Sequence, residues 1–384
     1  MLACHFDGRR VRVDTGYPEP AVPPGEVAVA VRLAGVCRTD LEIIKGYMQF
    51  RGVLGHEFVG TALGGALEGR RVVGGINCVC GACDLCRRGL PTHCRRRTVL
   101  GIDRRDGAFA QRLVLPEANL VPVPDGVPDR DAVFAEPLAA AIQIGRQVDL
   151  APGQRIVLLG DGRLGQLVAR VFRAWGLAPT VVGKSPAKLD LVRRLGLEAM
   201  TVDQVDDTRR ETDVPRPDVP GDAARGGCGD PPRGKVPLDM PRPALPGDAA
   251  RGGCGDPPRG KVPLDVPRPA LPGRALRQTA DVVVEATGTA DGLAMALAFV
   301  RPRGTIVLKS TVADTAGLDL APLVVNEVTV VGSRCGPMDE AVAMLAAGGL
   351  DLEPLVTAEY PLAEAETALA AAAEADAIKV LIRP

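Results

Sequence analysis

From about residue 154 the chain alternates between short apolar runs and longer stretches in which apolar residues recur every three or four positions. "QRIVLLG" (154–160) reads as a buried strand and 163–175 as an amphipathic helix. "PTVV" (179–182) is a second strand, 186–195 a second helix and "EAMTV" (198–202) a third strand. "DVVVEAT" (281–287), a helix ending at Val300, "GTIVLKS" (304–310) and "EVTVVGS" (327–333) continue the series. Strands alternating with helices predict a doubly wound parallel sheet, since each crossover helix covers a sheet face. The first 135 or so residues have a different period. "EVAVAVRL" (26–33) alternates apolar with polar, "GRRVVGGI" (69–76) and "GAFAQRLVLP" (107–116) look similar, and helical periodicity is scarce. That pattern predicts a β-barrel-like domain. The tail from about 336 returns to helix and strand and ends in "AIKVLIRP" (377–384).

One stretch fits neither pattern. Residues 214–239 recur at 240–265 with three substitutions, and a third copy begins at Val266. Residues 214–272 hold 15 Pro and 10 Gly and no aromatic side chain, so they offer too little apolar area to offset the entropy of ordering them. They read as a disordered insertion placed in a crossover, where a long loop costs little. An RNA-binding reading of the Arg/Gly content is weakened by near-neutral charge and missing aromatics.

Composition narrows the class. The chain has 384 residues, 46% of them hydrophobic, with 46 Lys plus Arg against 47 Asp plus Glu. A balanced charge gives no global field for nucleic acid or an anionic membrane. No apolar run reaches transmembrane length, and the N-terminus opens as an alternating strand, so the expected location is the cytoplasm.

Five of the ten cysteines fall between residues 78 and 94. Cys80, Cys83, Cys86 and Cys94 read C-x2-C-x2-C-x7-C, a spacing that brings four thiolates around one tetrahedral zinc. Disulfides between cysteines three apart would be strained, and a redox pair needs only one C-x-x-C. Cys78 falls outside the pattern. "VLLGDGRLGQLVA" places Gly160, Gly162 and Gly165 as G-x-G-x-x-G between a strand and a helix, the setting in which a backbone turn can approach a dinucleotide pyrophosphate. "GVCRTDLEI" and "LGHEFVG" supply Cys37, His56 and Glu57. A lone Cys or His is usually core packing, but an open zinc site needs about three such ligands. Glu136, in "FAEPLAAA", is the third candidate; its plainer reading is a buried carboxylate paired with a base. At the end of the second strand of the nucleotide fold stands Gly183, where an acidic residue would grip the adenosine ribose. With Lys184 and Ser185 following, this turn predicts a preference for NADP(H), with NAD(H) tolerated.

Together, "GVCRTD", "GHEFVG", "CGACDLCRRGLPTHC", "GAFAQRLVLP", "AEPLAAA", "GDGRLG", "VVVEATG", "RGTIVLKS" and "IKVLIRP" resemble the zinc-dependent medium-chain dehydrogenases, the alcohol dehydrogenase superfamily. The resemblance implies a GroES-like β-barrel catalytic domain over 1–140 with its zinc lobe at 78–97. It implies a Rossmann cofactor domain over 141–335, interrupted by 214–272, and a return to the catalytic domain over 336–384. It further implies two zinc ions per chain: a structural one on the four lobe cysteines, and a catalytic one on Cys37, His56 and a third ligand. "EP" at 136–137 resembles the sorbitol dehydrogenase branch and makes Glu136 that ligand, with Glu57 nearby and able to exchange. Asp40 would orient His56, Thr39 would pass the alcohol proton, and Lys379 would lie near the pyrophosphate. Glu42 stands where many relatives carry the outer histidine of the proton relay. The implied reaction is hydride transfer between an alcohol or polyol and NAD(P), with threonine-dehydrogenase-like oxidation of an amino alcohol as the alternative. Partners would be a small alcohol or ketone and further copies in a homodimer or homotetramer, with no nucleic acid and no membrane. A different class, a non-enzymatic zinc protein using the lobe on nucleic acid, rests on Arg87, Arg88, Arg95, Arg96 and Arg97. Tyr47, Met48 and Phe50 are candidates to line the substrate pocket.

Overall fold

The computed structural model describes residues 1–207, 278–311 and 320–384, so the repeat at 214–272 lies outside the described residues. The second half builds a six-stranded sheet, parallel throughout. Its strands lie in the order Ala199–Thr201, Thr180–Gly183, Ile156–Leu159, Ala280–Glu285, Val300–Leu308 and Thr329–Gly332. The chain starts at Ile156–Leu159, runs outward in one direction, and returns to build the other half from Ala280–Glu285. A strand order that reverses beside the first strand makes a crevice at the carboxyl ends of those two strands, which is where doubly wound folds take their ligands.

The elements follow from the side chains. Ile156–Leu159 is buried at all four positions, as a central strand covered on both faces must be. Helix Arg163–Ala174 packs Leu167, Val168, Val171 and Phe172 inward. Helix Pro186–Arg194 starts with Pro at its first position, and the Ser185 hydroxyl accepts the Lys188 N–H at 3.5 Å to cap it. One boundary differs from expectation: the helix before Val300 is Gly292–Phe299, and Val300 already begins the strand that runs to Leu308.

The first half contributes a seven-stranded sheet centred on Glu26–Gly35, whose burial alternates along its first half as its sequence does. Glu57–Ala62 and Arg112–Pro116 pair with it antiparallel, and so does the C-terminal strand Lys379–Arg383. The last residues of the chain thus return to the first domain's sheet. Only Arg112–Pro116 of the expected strand 107–116 is regular. Gly107, Ala108 and Phe109 instead bond back to Val53, Gly55 and Leu54.

The sequence pattern did not suggest helix Ala135–Gln147, which crosses the expected boundary at residue 140. It buries Ala135, Leu138, Ala139, Ala141, Ile142 and Ile144. These belong to one apolar cluster that also holds Leu33 and Val59 of the first sheet and Leu158 and Val168 of the second domain. The two domains therefore share a core, and the helix is its axle.

Candidate active site

Three elements converge at the domain junction. Cys37 caps helix Arg38–Ile44, directly after the central strand Glu26–Gly35. His56 immediately precedes strand Glu57–Ala62, which is registered so that Glu57 faces Gly35. A Cβ on Gly35 would lie 2.5 Å from Glu57 Oε2, so the glycine makes the room in which that carboxylate sits. Ligand atoms of Cys37, His56 and Glu57 all lie within 4.8 Å of one another, close enough to share one ion. Asp40, fully buried, ties the cluster together. Its Oδ2 accepts the Cys37 N–H at 2.8 Å, its Oδ1 accepts the Gly55 N–H at 3.2 Å, and the same Oδ1 is 3.3 Å from His56 Nδ1. One carboxylate thereby sets both ligand-bearing loops and leaves the far nitrogen of His56 for a metal. The Thr39 hydroxyl is 3.7 Å from Cys37 Sγ.

Glu57, not Glu136, falls within the three-residue cluster. The strand register brings Glu57 there by pairing it with Gly35, two residues before Cys37. Glu136 sits in the first turn of its helix, near enough to feel His56, Glu57, Lys379 and Lys309. Burial pushes its carboxyl up, and Glu57 adds to that while His56 and the two lysines oppose it. Lys379 was expected near a pyrophosphate. The structure buries it instead, with Nζ donating to Glu57 Oε2 and lying 5.4 Å from the Phe134 ring centre. Strand Lys379–Arg383 pairs with the end of Glu26–Gly35, and that pairing delivers the ammonium to Glu57. Glu42 accepts from Arg38 Nε at 2.8 Å and Lys45 Nζ at 3.3 Å along the outer face of its helix. Of the three pocket candidates, Phe50 is buried in the first domain's core, while Tyr47 and Met48 are exposed. Met48 and Gln49 both adopt positive φ (61° and 50°), a strained stretch of the kind found beside functional sites.

Burial alone would lower the His56 pKa, but Asp40 and Cys37 outweigh it and hold the imidazole well above its ordinary 6.5. The sign for stability follows. In the metal-free chain the protonated His56 contributes fully below pH 6.5, and the contribution is lost as pH rises through the higher folded value. A metal must expel that proton from His56, so metal uptake strengthens with rising pH. The Tm of metal-free protein should therefore fall as pH rises above 6.5, while the increment in Tm given by zinc should grow. Parallel thermal scans with and without zinc read both trends. A zinc increment that shrinks with rising pH would contradict this assignment.

The lobe is a second metal-shaped cluster, and Cys80, Cys83, Cys86 and Cys94 bring their sulfurs together without bonding. Cys94 Sγ is 3.4 Å from Cys80 Sγ and 3.9 Å from Cys83 Sγ, and Cys83 Sγ is 3.5 Å from Cys86 Sγ. A tetrahedron with zinc–sulfur bonds of about 2.3 Å has edges of about 3.8 Å, so the four sulfurs nearly enclose such an ion. The Ala82 N–H leads the groups that bring the Cys80 thiol down to about 6, whereas loss of water contact and the neighbouring sulfurs push Cys86 up to about 12. Three of the five lobe arginines are spent internally, Arg95 on Asp84 at 2.8 Å, Arg96 on Cys80 and Arg97 on the Thr92 carbonyl.

Across the junction lies the glycine turn. Gly160 has φ of 110°, and a Cβ on it would lie 2.5 Å from the Ala286 carbonyl. A Cβ on Gly165 would lie 2.0 Å from the Gly160 carbonyl. Gly162 faces open space, leaving the backbone at the helix N-terminus free for an anionic group. Arg163 starts that helix and donates to the Ala372 carbonyl, while its buried Nε has no partner. Burial lowers its pKa, and the charges of Cys37 and Glu57 partly offset this, so the Arg163 guanidinium lies within electrostatic reach of the cluster.

A family model described as the alcohol dehydrogenase GroES-like domain matches residues 23–125, and one described as zinc-binding dehydrogenase matches 273–347. Both models describe domains of zinc-dependent alcohol dehydrogenases, and the chain is similar to that superfamily over these two stretches. Among its curated relatives, the L-threonine 3-dehydrogenase of Mesorhizobium japonicum is 34% identical over 194 residues, covering 47% of this chain and 56% of that protein. The chain thus spans about half the length of the curated relatives it matches. Alcohol dehydrogenase TADH from Thermus sp. ATN1 superposes with a TM-score of 0.74 at 25% identity, over 100% of this chain and 99% of that one. Galactitol-1-phosphate dehydrogenase from Escherichia coli gives 0.75 at 21%, over 100% of both chains, a likeness of fold alone. The GroES-like and Rossmann halves expected from the sequence are the two domains of the fold.

Sequence reasoning missed two functional candidates. Asp161, between the first two glycines of the turn, has an Oδ2 that accepts the Lys184 N–H at 2.9 Å and the Ser185 N–H at 2.7 Å. Lys309 donates to the Ala140 and Arg334 carbonyls and to Ser333 Oγ beside Glu136, and burial brings its pKa down to about 8. "GDG" and "LKS" each carried a charge in a turn otherwise read for its glycines or strand, and those charges were the available signal.

Proposed function

We propose that this chain is a zinc-dependent oxidoreductase that moves a hydride between an alcohol or polyol, or its carbonyl counterpart, and a nicotinamide dinucleotide. The observation that carries this reading is the facing pair of half-sites: Cys37, His56 and Glu57 within 4.8 Å on one side of the junction, and the open Gly162 turn with the unpartnered Arg163 Nε on the other. Two zinc ions fit the reading, one on each cluster. Zinc at the Cys37 cluster, when bound, supplies a Lewis acid that polarises the substrate oxygen. The remaining roles belong to the chain. Asp40 holds His56 and the Cys37 loop in place, and the Thr39 hydroxyl accepts and passes on the alcohol proton. Lys379 neutralises Glu57 and thereby limits the negative charge at the metal site. Gly162 and Arg163 receive the pyrophosphate, which points the nicotinamide towards the cluster. Glu136 is the reserve carboxylate, and Glu42 takes protons to solvent from the helix's outer face. The four lobe cysteines have no place for substrate, so their ion holds a loop together.

The relatives named L-threonine 3-dehydrogenase favour a second reading of the substrate, a β-hydroxy amino acid. Apolar side chains stand out on the outermost strand and the helix before it, with Leu320 56%, Val324 78%, Val325 78% and Val330 38% exposed, which supports a homo-oligomer. No helix among the described residues is long and apolar enough to cross a membrane, and the cysteines there are free, as a reducing cytoplasm would keep them. A panel of simple alcohols, polyols and threonine, followed at the nicotinamide absorbance with zinc-loaded protein, tests the reading. Turnover of at least one secondary alcohol is expected. No reduction with any of them, with either cofactor, would overturn the reading.

A further inference from the structure

The expected preference for NADP(H) assumed that no carboxylate faces the end of the second strand. The structure supplies one from elsewhere in the chain. A Cβ placed on Gly183 would lie 2.5 Å from Cβ, Cγ and Oδ2 of Asp161, so the Asp161 carboxyl group fills the space a side chain at 183 would enter. Its Oδ2 takes the backbone donors of both Lys184 and Ser185, the two residues expected to greet a 2′-phosphate. The Ser185 hydroxyl is occupied as well, capping the helix and lying 3.4 Å from Asp376 Oδ1. Lys184 is exposed, and Lys188 Nζ is turned to the Ala375 carbonyl. Around this turn the Lys184 and Ser185 N–H groups, the Ser185 hydroxyl and Lys188 Nζ are committed to a carboxylate or a carbonyl, leaving the exposed Lys184 ammonium beside the carboxylates of Asp161 and Asp376.

We infer that Asp161 is the residue that selects the cofactor, and that it selects NAD(H). Dinucleotide folds of this type place the discriminating acid at the end of the second strand, where it accepts from the ribose hydroxyls. Here the acid arrives from the glycine turn, and Gly183 is bare because Asp161 needs its volume. With Oδ2 held by two N–H groups, Oδ1 remains to accept from the ribose 2′-hydroxyl. A 2′-phosphate at that place would meet like charge and find no free backbone donor. The inference rests on the dehydrogenase reading and deepens it.

The experiment uses cofactor fragments that lack the nicotinamide, so it does not depend on turnover or on the catalytic metal. Calorimetric titrations of the full chain with ADP-ribose and with 2′-phospho-ADP-ribose should show at least a tenfold preference for the unphosphorylated form. A charge-assisted contact of this kind carries roughly ten- to hundredfold in affinity. Asp161→Asn keeps the shape and one acceptor, and should lower the preference by about tenfold. Gly183→Ala provides a second route should Asp161→Asn fold poorly, because the new methyl group must displace the Asp161 carboxylate and so erode the same ratio. Equal or tighter binding of the phosphorylated fragment by wild type would overturn the inference and leave the dehydrogenase reading intact. So would a ratio unchanged in a folded Asp161→Asn variant. Binding of neither fragment would overturn both.

Discussion

Cys37→Ser is expected to lower kcat/KM by roughly a thousandfold and to halve the zinc content, from two ions per chain to one. A Lewis acid at a reacting oxygen supplies several kcal/mol of transition-state stabilisation, and each 1.36 kcal/mol lost is about tenfold in rate. Cys37 is half-buried and caps a short helix, so serine, an accepted capping residue, should preserve the loop and most of the stability. Elemental analysis and steady-state kinetics on the same preparation separate the two effects. A variant that keeps two zinc ions and loses less than about threefold in activity would show that Cys37 holds no catalytic metal.

The second large effect concerns stability. Lys379 and Glu57 are both buried, with side chains 2% and 1% exposed, and each is the other's counter-charge. Lys379→Met would leave the Glu57 carboxylate without its partner in a site closed to water. Breaking a buried pair from one side costs about 3–5 kcal/mol, whereas removing both charges together is often close to neutral. Chemical denaturation of metal-free protein should show that loss for Lys379→Met and recovery of most of it in Lys379→Met/Glu57→Gln. Lys379→Arg should behave nearly as wild type in stability. A cost below about 1 kcal/mol for the single variant would mean that water already serves as the counter-charge.

What the sequence revealed, and what it hid, divides by range. The four lobe cysteines span fifteen positions, so their spacing alone limits the geometry, and the structure brings their sulfurs together. The glycine turn is equally local. Each glycine meets a separate need: Gly160 its positive φ, Gly165 its approach to the Gly160 carbonyl and Gly162 its open face. The α/β alternation was legible because buried parallel strands are written as unbroken apolar runs such as Ile156–Leu159.

Contacts between distant residues were not legible. Whether Glu57 or Glu136 joins Cys37 and His56 depends on a strand register that sets Glu57 opposite Gly35. Lys379 could not be placed from its motif because its position depends on a strand joining the sheet about 340 residues after the one it pairs with. The surroundings of the Gly183 turn were hidden for the same reason. A carboxylate reaches it from Asp161, 22 positions earlier in the chain and adjacent only once the first two strands lie side by side. Helix Ala135–Gln147 is rich in alanine and apolar on more than one face because it packs against both domains, which blurred the period that would have announced it.

The central claim is that a hydride passes between a carbon–oxygen centre held at Cys37, His56 and Glu57 and a nicotinamide held at the Gly160–Gly165 turn. Zinc-loaded protein incubated with oxidised cofactor and a secondary alcohol carrying deuterium on its hydroxyl-bearing carbon tests this directly. Mass spectrometry of the recovered reduced cofactor should find one deuterium per molecule, with transfer by Cys37→Ser roughly a thousandfold slower. Reduced cofactor without deuterium, or deuterium transfer undiminished in the Cys37→Ser variant, would contradict the account.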